Sequence, residues 1–306
     1  MKAGVAELFE AHRGLLWRIA YRLTGSSADA DDIVQETFVR AMDRGPRDES
    51  RPWRPWLVKV ALNVGRDLLR VRKRREYPGM WLPSPIESEP PSHEPVDVKG
   101  NPAARYDQLE SISFAFLLAL EALTPLQRAV LLLRDVFDYS VRETAEALTV
   151  SDANVKTTHL RARRAMAAYD ASRFNQDNES KERNRNAFDR FLRLLAEGDV
   201  QAVELMLAAD VTVISDSAGE FHSNYVPVVG REKVAKLFMA LAQKLVPERI
   251  AQRFLNGYPS FVMERTPSPG FAPRWVLQIE LDESGLIRRI YSVLASRKLA
   301  AVRPLQ

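Results

Sequence analysis

Six residues in one short stretch, Lys59, Asn63, Arg66, Arg70, Lys73 and Arg74, recur at helical spacing and bring five cations and an amide to one face. The chemistry such a face can do is recognition. Guanidinium forks and ammonium groups neutralise phosphates, and an amide hydrogen-bonds to base edges. A merely solvated basic face would carry acids one turn away, but Asp67 is the one acid inside the stretch. A second basic set lies in SDANVKTTHLRARRAM, where Lys156, Thr157, His159, Arg161, Arg163 and Arg164 alternate with Val155, Leu160, Ala162 and Met166, which are expected inward. A third set is acidic and polar: Asp32, Gln35 and Glu36. Helix capping accounts for Asp29 to Asp32 but not for Gln35 and Glu36.

The elements that must position these groups are helices. Val5, Leu8, Phe9, His12, Leu15, Leu16, Ile19 and Leu23 mark a first helix ending at Gly25, with His12 packed on its apolar side. Ser26 or Ser27 caps a second, which turns Ile33, Val34, Thr37, Phe38, Ala41 and Met42 inward. The basic helix buries the stripe Leu57, Val60, Ala61, Val64, Leu68 and Val71. Trp53 and Trp56 stand at its start, suited to stacking on unpaired bases or to the core. Further on, Thr124-Pro125-Leu126-Gln127 and Ser140-Val141-Arg142-Glu143 read as capping boxes, and Ser151 as another N-cap. Closely spaced helices, with the small Ala145 in the middle one and a basic last helix, make a helix-turn-helix signature.

Between the two helical regions, residues 77–107 hold seven prolines and few aliphatics, as a linker does. Inside it Trp81-Leu82-Pro83 is an apolar anchor that implies docking somewhere. The last third changes character. Phe188, Phe191, Leu192 and Leu195 mark a helix, DVQAVELML and REKVAKLFMALAQKL two more, and VTVISD, RIAQRFL, SFVMERT, RWVLQIELD and GLIRRIYSVL read as strands, with an Asn256-Gly257 hairpin turn. Helices followed by a curved antiparallel sheet predict an α+β cone. Asp210, Asp216, His222 and Tyr225 are available there for acid–base work, but no spacing singles them out.

Composition bounds the reading. At 306 residues the chain holds two or three small domains, and 46% hydrophobic with 27% charged residues is ordinary for a soluble globular protein. Net charge is only +4, so the basic character is local. Zero cysteines exclude disulfides, thiolate metal sites and cysteine nucleophiles. With no apolar run of membrane-spanning length and no signal-peptide core, the expectation is a cytoplasmic protein that does not engage a membrane.

DADDIVQETF, PWLVKVALNVGRDLLRVRKRR and LTPLQRAVLLLRDVFDYSVRETAEALTVSDANVKTTHLRARRAM, in that order, resemble the two DNA-binding domains of extracytoplasmic-function (group IV, sigma-70 family) bacterial sigma factors. The last third resembles a SnoaL-like/NTF2-like fold, and the combination resembles the SigJ-like/ECF41-like group. Where that group has a glycine-rich stretch after the first strand, this chain has Asp216-Ser217-Ala218-Gly219. Where it ends in Asn-Pro-Asp-Lys-Leu, this chain has Ala295-Ser296-Arg297-Lys298-Leu299.

The resemblance implies a mainly α sigma-2 domain (1–76), the Pro-rich linker (77–107), a helix-turn-helix sigma-4 domain (108–170), a short linker (171–182) and an α+β SnoaL-like/NTF2-like cone (183–306). It implies RNA polymerase core as partner, through the β′ clamp helices (Asp32, Gln35, Glu36) and the β flap, and promoter DNA. The −10 element would be contacted by Asn63, Arg66, Arg70, Lys73 and Arg74, with a flipped base captured near Arg44 to Arg51. The −35 element would be read by Lys156, Thr157, His159, Arg161 and Arg164. It further implies no catalysis, no cofactor, and a C-terminal domain that contacts the other domains and Trp81, Leu82 and Pro83 in cis. Thr149 stands where helix-turn-helix motifs often place glycine, which predicts strain or a reshaped turn. The alternatives are a helix-turn-helix activator acting without core polymerase and, for the C-terminal domain, a small-ligand-binding or enzymatic module.

Overall fold

The computed structural model describes residues 2–45, 52–72, 77–88, 105–106, 110–172 and 178–306. The chain divides into two compact units, Met1–Glu76 with Ser88–Arg173, and Tyr77–Glu87 with Phe174–Gln306. The first is helical. Helices α1 (Lys2–Thr24), α2 (Ser27–Asp43) and α3 (Trp53–Arg72) pack on one another, and α5 (Pro125–Asp135), α6 (Val141–Leu148) and α7 (Asp152–Ala165) form the helix-turn-helix region, flanked by α4 (Phe114–Ala119) and α8 (Ala167–Ser172). Caps set these boundaries. The Ser26 side chain accepts from the Asp29 amide, Thr124/Gln127 and Ser140/Glu143 close reciprocal capping boxes, and Ser151 accepts from the Asn154 amide.

The inward face of α3 differs from the predicted stripe. Leu57, Val58, Ala61, Leu62, Gly65 and Leu69 are buried, whereas Val60, Val64 and Leu68 are half-exposed and Val71 is exposed. Gly65 decides this, because a Cβ there would stand 2.6 Å from Leu23 Cδ2 and 3.2 Å from Ile33 Cδ1. The glycine is the contact point of three helices and rotates the face around itself. The expected interiors of α2 and α7 are corrected in the same way. Met42 is 63% exposed, and Leu160 is 52% exposed while Thr158 is buried, because the α7 stripe runs Val155, Thr158, Ala162, Met166.

The second unit is a six-stranded sheet wrapped by helices, the α+β order expected of the cone. Helices α9 (Asn178–Glu197) and α10 (Val200–Leu205) precede β1 (Leu207–Asp216) and β2 (Val228–Val229). Then come α11 (Arg231–Lys244), β3 (Arg249–Leu255), β4 (Tyr258–Glu264), β5 (Arg274–Leu281) and β6 (Ile287–Val293). Strand order is β2-β1-β6-β5-β4-β3, with β1 and β6 parallel and every other pair antiparallel. Asn256 (φ 54°) and Gly257 (φ 79°) form the two-residue β3–β4 turn, both in the left-handed region such turns require. Phe188 and Phe191 of α9, Val211 and Val213 of β1 and Phe238 of α11 share one core with Trp275 and Ile290.

Candidate nucleic-acid interface and linker clasp

The first unit presents three of the predicted surfaces. On α2, Asp32 and Gln35 are exposed and Glu36 is half-exposed, paired with Arg40 at 2.7 Å. Val39 (47% exposed) and Met42 extend the same face, so two apolar residues missed by sequence reasoning continue the polar row. On α3, Arg70 is exposed beside Asp67 at 2.5 Å, while Lys59, Asn63 and Arg66 are half-buried. Burial, then the neighbouring Arg70 charge, pull the Arg66 guanidinium below its ordinary pKa. Helices α5 and α6 pack against α3. Trp53 and Trp56 meet edge to face, with ring centroids 6.0 Å apart, and both stay half-exposed. Lys73, Arg74 and most of the Arg44–Arg51 loop lie outside the described residues.

On α7, Lys156, Thr157, Arg161 and Arg164 are exposed and share their face with Leu160. His159 is turned instead toward the fold, its Nε2 2.8 Å from Asp135 Oδ1, and Arg163 lies 3.6 Å from the other oxygen of that carboxylate. The turn before α7 takes the strained solution: Thr149 has φ 57° and ψ 50°, which lets its amide and that of Val150 both reach the Ala145 carbonyl.

Charged groups also hold the two helical regions together. Arg22 is fully buried and donates to Ser111 Oγ at 2.8 Å, with its guanidinium over the Phe137 ring. Arg128 donates to the Leu23 carbonyl and to Glu121, both at 2.9 Å. Burial lowers the Arg128 pKa, and the Glu121 charge opposes that shift. Arg72 bonds the Thr24 carbonyl and Glu121. Thus Arg72, the last described cation of α3, serves packing rather than the recognition face.

In the second unit residues 77–87 of the linker pack into the domain without forming a strand. Trp81 is half-buried, and Leu82, Pro83, Ser84, Pro85 and Ile86 are buried. The Asp216 carboxylate, wholly inaccessible at the end of β1, accepts from the Leu82 amide and the Tyr77 hydroxyl at 2.7 Å each, from the Ala218 amide at 3.0 Å, and from Lys298 Nζ. Lys298 also donates to the Leu82 carbonyl. Its ammonium lies 5.0 Å from the Tyr77 centroid and 4.6 Å from that of Trp81, so an aromatic pair and a carboxylate enclose one cation.

A second grip follows. The Ile86 amide donates to Asn256 Oδ1 and the Asn256 amide to the Ile86 carbonyl, both at 2.9 Å, and Glu87 bridges to Leu255 on the edge strand β3. Glu87 accepts from Arg253 at 2.8 Å, and from the Arg303 amide and Nε at 3.0 and 2.6 Å. Burial alone would raise its pKa, but the Arg303 hydrogen bonds and the two guanidinium charges win, leaving it below the ordinary carboxylate value. The residues after β6 thus fasten the linker with Lys298 at one end and Arg303 at the other. Of the four candidate acid–base residues, Asp216 is taken up by this clasp. Asp210 is exposed near Arg288, Tyr225 is exposed, and His222 lies on the loop after β1. The structure does not gather them into one site.

Sequence reasoning had flagged Trp81, Leu82 and Pro83, and had reached Lys298 through resemblance alone. It missed Tyr77, Glu87 and Arg303, and read Asn256 only as a turn residue; their partners lie 139 to 216 residues away, where no spacing rule operates.

Comparison with known proteins follows this division. The sigma-70 region 2 family matches residues 8–75 and the sigma-70 region 4 family residues 113–166. The ECF RNA polymerase sigma factor SigJ of Mycobacterium tuberculosis is 34% identical over 241 residues, covering 78% of this chain and 73% of that protein. A probable ECF RNA polymerase sigma factor SigI of the same species is 28% identical over 235 residues, covering 75% and 74%. The crystal structure of the M. tuberculosis SigJ superposes with a TM-score of 0.74 at 28% identity, covering 98% of this chain and 100% of that one. With two basic helical faces, a capped helix-turn-helix and a C-terminal α+β domain in the same order along the chain, this protein belongs to the ECF RNA polymerase sigma factor family.

Proposed function

We propose that this σ factor directs RNA polymerase core to promoters and that its C-terminal domain regulates that activity in cis through the linker. The observation that carries the regulatory part is the clasp, in which Asp216, Asn256, Lys298 and Arg303 bind the backbone and side chains of residues 77–87. A tethered contact is intramolecular, so a small interface is populated without high affinity. The linker that joins the two promoter-binding regions is thereby held at its N-terminal end.

In this reading the exposed face of α2, Asp32, Gln35 and Glu36 with Val39 and Met42, engages the β′ clamp helices, and the helix-turn-helix region engages the β flap. Asn63, Arg66, Arg70, Lys73 and Arg74 serve the −10 element. Lys156, Thr157, Arg161 and Arg164 serve the −35 element, and His159 acts there mainly by fixing α7 through Asp135. Because Lys59, Asn63 and Arg66 are half-buried with α5 and α6 against α3, full use of the −10 face requires the helical regions to separate. The chain performs no reaction in this scheme and needs no cofactor. Among the described residues no helix is long and apolar enough to cross a membrane.

The test is transcription in vitro with core polymerase on a cognate promoter. Lys298→Ala and Trp81→Ala are expected to change transcript yield in the same direction, upward if the clasp restrains the linker. Yields equal to those of the parent chain for both variants would overturn regulation in cis. Failure of the parent chain to bind core polymerase would overturn the σ reading itself and favour an activator acting on duplex DNA unaided.

A further inference from the structure

The mouth of the cone in the second unit opens on a cavity of about 800 Å³, within the range of sites for drug-sized ligands. It lies between α9, α11 and the concave face of the sheet. Leu195, Phe238, Met263, Trp275 and Leu277 make its apolar body, and among the described residues the only carboxylate on its wall is Glu197, which is exposed. Polar groups gather at one end. Ser215 and Ser292, paired across β1 and β6, supply hydroxyls, and the loop after β1 adds His222, Ser223 and Asn224. A protein interior leaves few voids larger than a water molecule, so a space of this size is not a packing residue of the core.

The polar end adjoins the clasp. Ser215 faces the cavity while Asp216, the next residue, faces the linker, as alternation along a strand requires. Loop 217–225 has the cavity on one side and the linker on the other. His222 to Asn224 line the cavity, whereas the Gly219 α-carbon faces Pro78 and the Gly79 α-carbon faces the Tyr225 ring. Both glycines have positive φ, +76° and +80°, and a Cβ at either would meet its neighbour at 3.2 Å. At the end of β6, Leu294 lines the cavity and its amide donates to the Asp216 carbonyl.

We propose that this cavity binds an uncharged, largely apolar small molecule with a hydroxyl or carbonyl end, and that its occupancy is transmitted through loop 217–225 to the docking of residues 77–87. The binding part stands by itself. The transmission part rests on the cis-regulatory reading and gives it a signal.

The probe is N-phenyl-1-naphthylamine, which is uncharged and apolar, titrated into the full chain by fluorescence. The expected result is saturable binding to one site, weakened about tenfold or more by Ala242→Trp and by Leu245→Trp, which fill the cavity from the α11 side. Unsaturable binding, or unchanged affinity in both variants while their thermal melts match the parent, would overturn the site. Hydrogen exchange of the peptide spanning residues 77–88 reads the second part. Saturating probe is expected to change the rate about threefold or more in the parent and not in Ala242→Trp. Saturable binding with no change in exchange would overturn the transmission and leave the cis-regulatory reading to the probe-free transcription assay.

Discussion

Arg70 and Lys298 each sit beside one aspartate at about hydrogen-bonding distance, yet the two pairs differ in kind. Arg70 and Asp67 are both exposed on α3, whereas Lys298 and Asp216 are almost wholly enclosed. An exposed pair contributes roughly 0–1 kcal/mol and exchanges readily with water and salt, so it gives way to a phosphate at little cost. An enclosed pair is held by the cost of stranding either charge. The first region is therefore built to be recruited by an outside partner, and the second to hold a partner from its own chain. Five experiments sharpen that difference.

The largest effect is expected at the clasp. Lys298→Ala strands the Asp216 carboxylate, and losses of about 3–5 kcal/mol are typical when one partner of a buried pair is removed. The expected readout is faster amide exchange across residues 77–88 and a lower melting temperature of the second unit, whereas Arg70→Ala should leave both unchanged. Equal effects from the two variants would erase the distinction.

Next is DNA. Arg66→Ala is expected to reduce permanganate reactivity of the −10 region without loss of core-polymerase binding, by a factor that narrows as salt rises, because one fewer phosphate contact flattens the salt dependence. On α7, Arg161→Ala and Leu160→Ala should alter the ranking of −35 sequences, each by about 1–3 kcal/mol at the affected base pair. Leu160 has the exposure and chemistry to meet a thymine methyl. A uniform loss over all −35 variants would assign both residues to the backbone instead.

Thr149→Gly is expected to stabilise the first unit by about 1 kcal/mol in denaturant unfolding. A β-branched residue in the left-handed region carries strain of about 1–3 kcal/mol, part of which glycine returns as unfolded-state entropy. No gain would mean that the threonine is accommodated without strain.

The smallest effect concerns pH. The folded-state pKa of Glu87 is depressed, so its contribution is complete above the unfolded carboxylate value and is lost as pH falls through the lower folded value. Exchange protection at the Ile86–Glu87 end of the linker should fall in that acidic window, and Glu87→Gln should remove the pH dependence.

How much of this was legible in the sequence depended on range. Caps, the Asn256-Gly257 turn and the order of elements are local, so composition and spacing located them. Helix faces were legible to within one rotation. The α3 stripe was misplaced because glycine carries no hydropathy signal, although Gly65 is where Leu23 and Ile33 touch the helix. Leu160 is expected inside because it is apolar, and nothing in the sequence singles out Thr158 for the interior because it is polar. In the fold Thr158 satisfies its hydroxyl on Asn154 Oδ1 at 2.8 Å and takes the buried position. In the residues themselves the clasp was legible only as a tryptophan out of place, with Lys298 reached through resemblance, since Asp216 and Lys298 find Leu82 across 134 and 216 residues.

That separation has a consequence in time. A ribosome adding about 5–20 residues per second reaches Lys298 roughly ten to forty seconds after Leu82, the interval set by the 216 residues between them. Within that interval the second helical region is completed and both can fold, while the linker has no Lys298 to hold it. Every nascent copy therefore passes through an unclasped period, and a message cut anywhere between these two codons yields only unclasped protein.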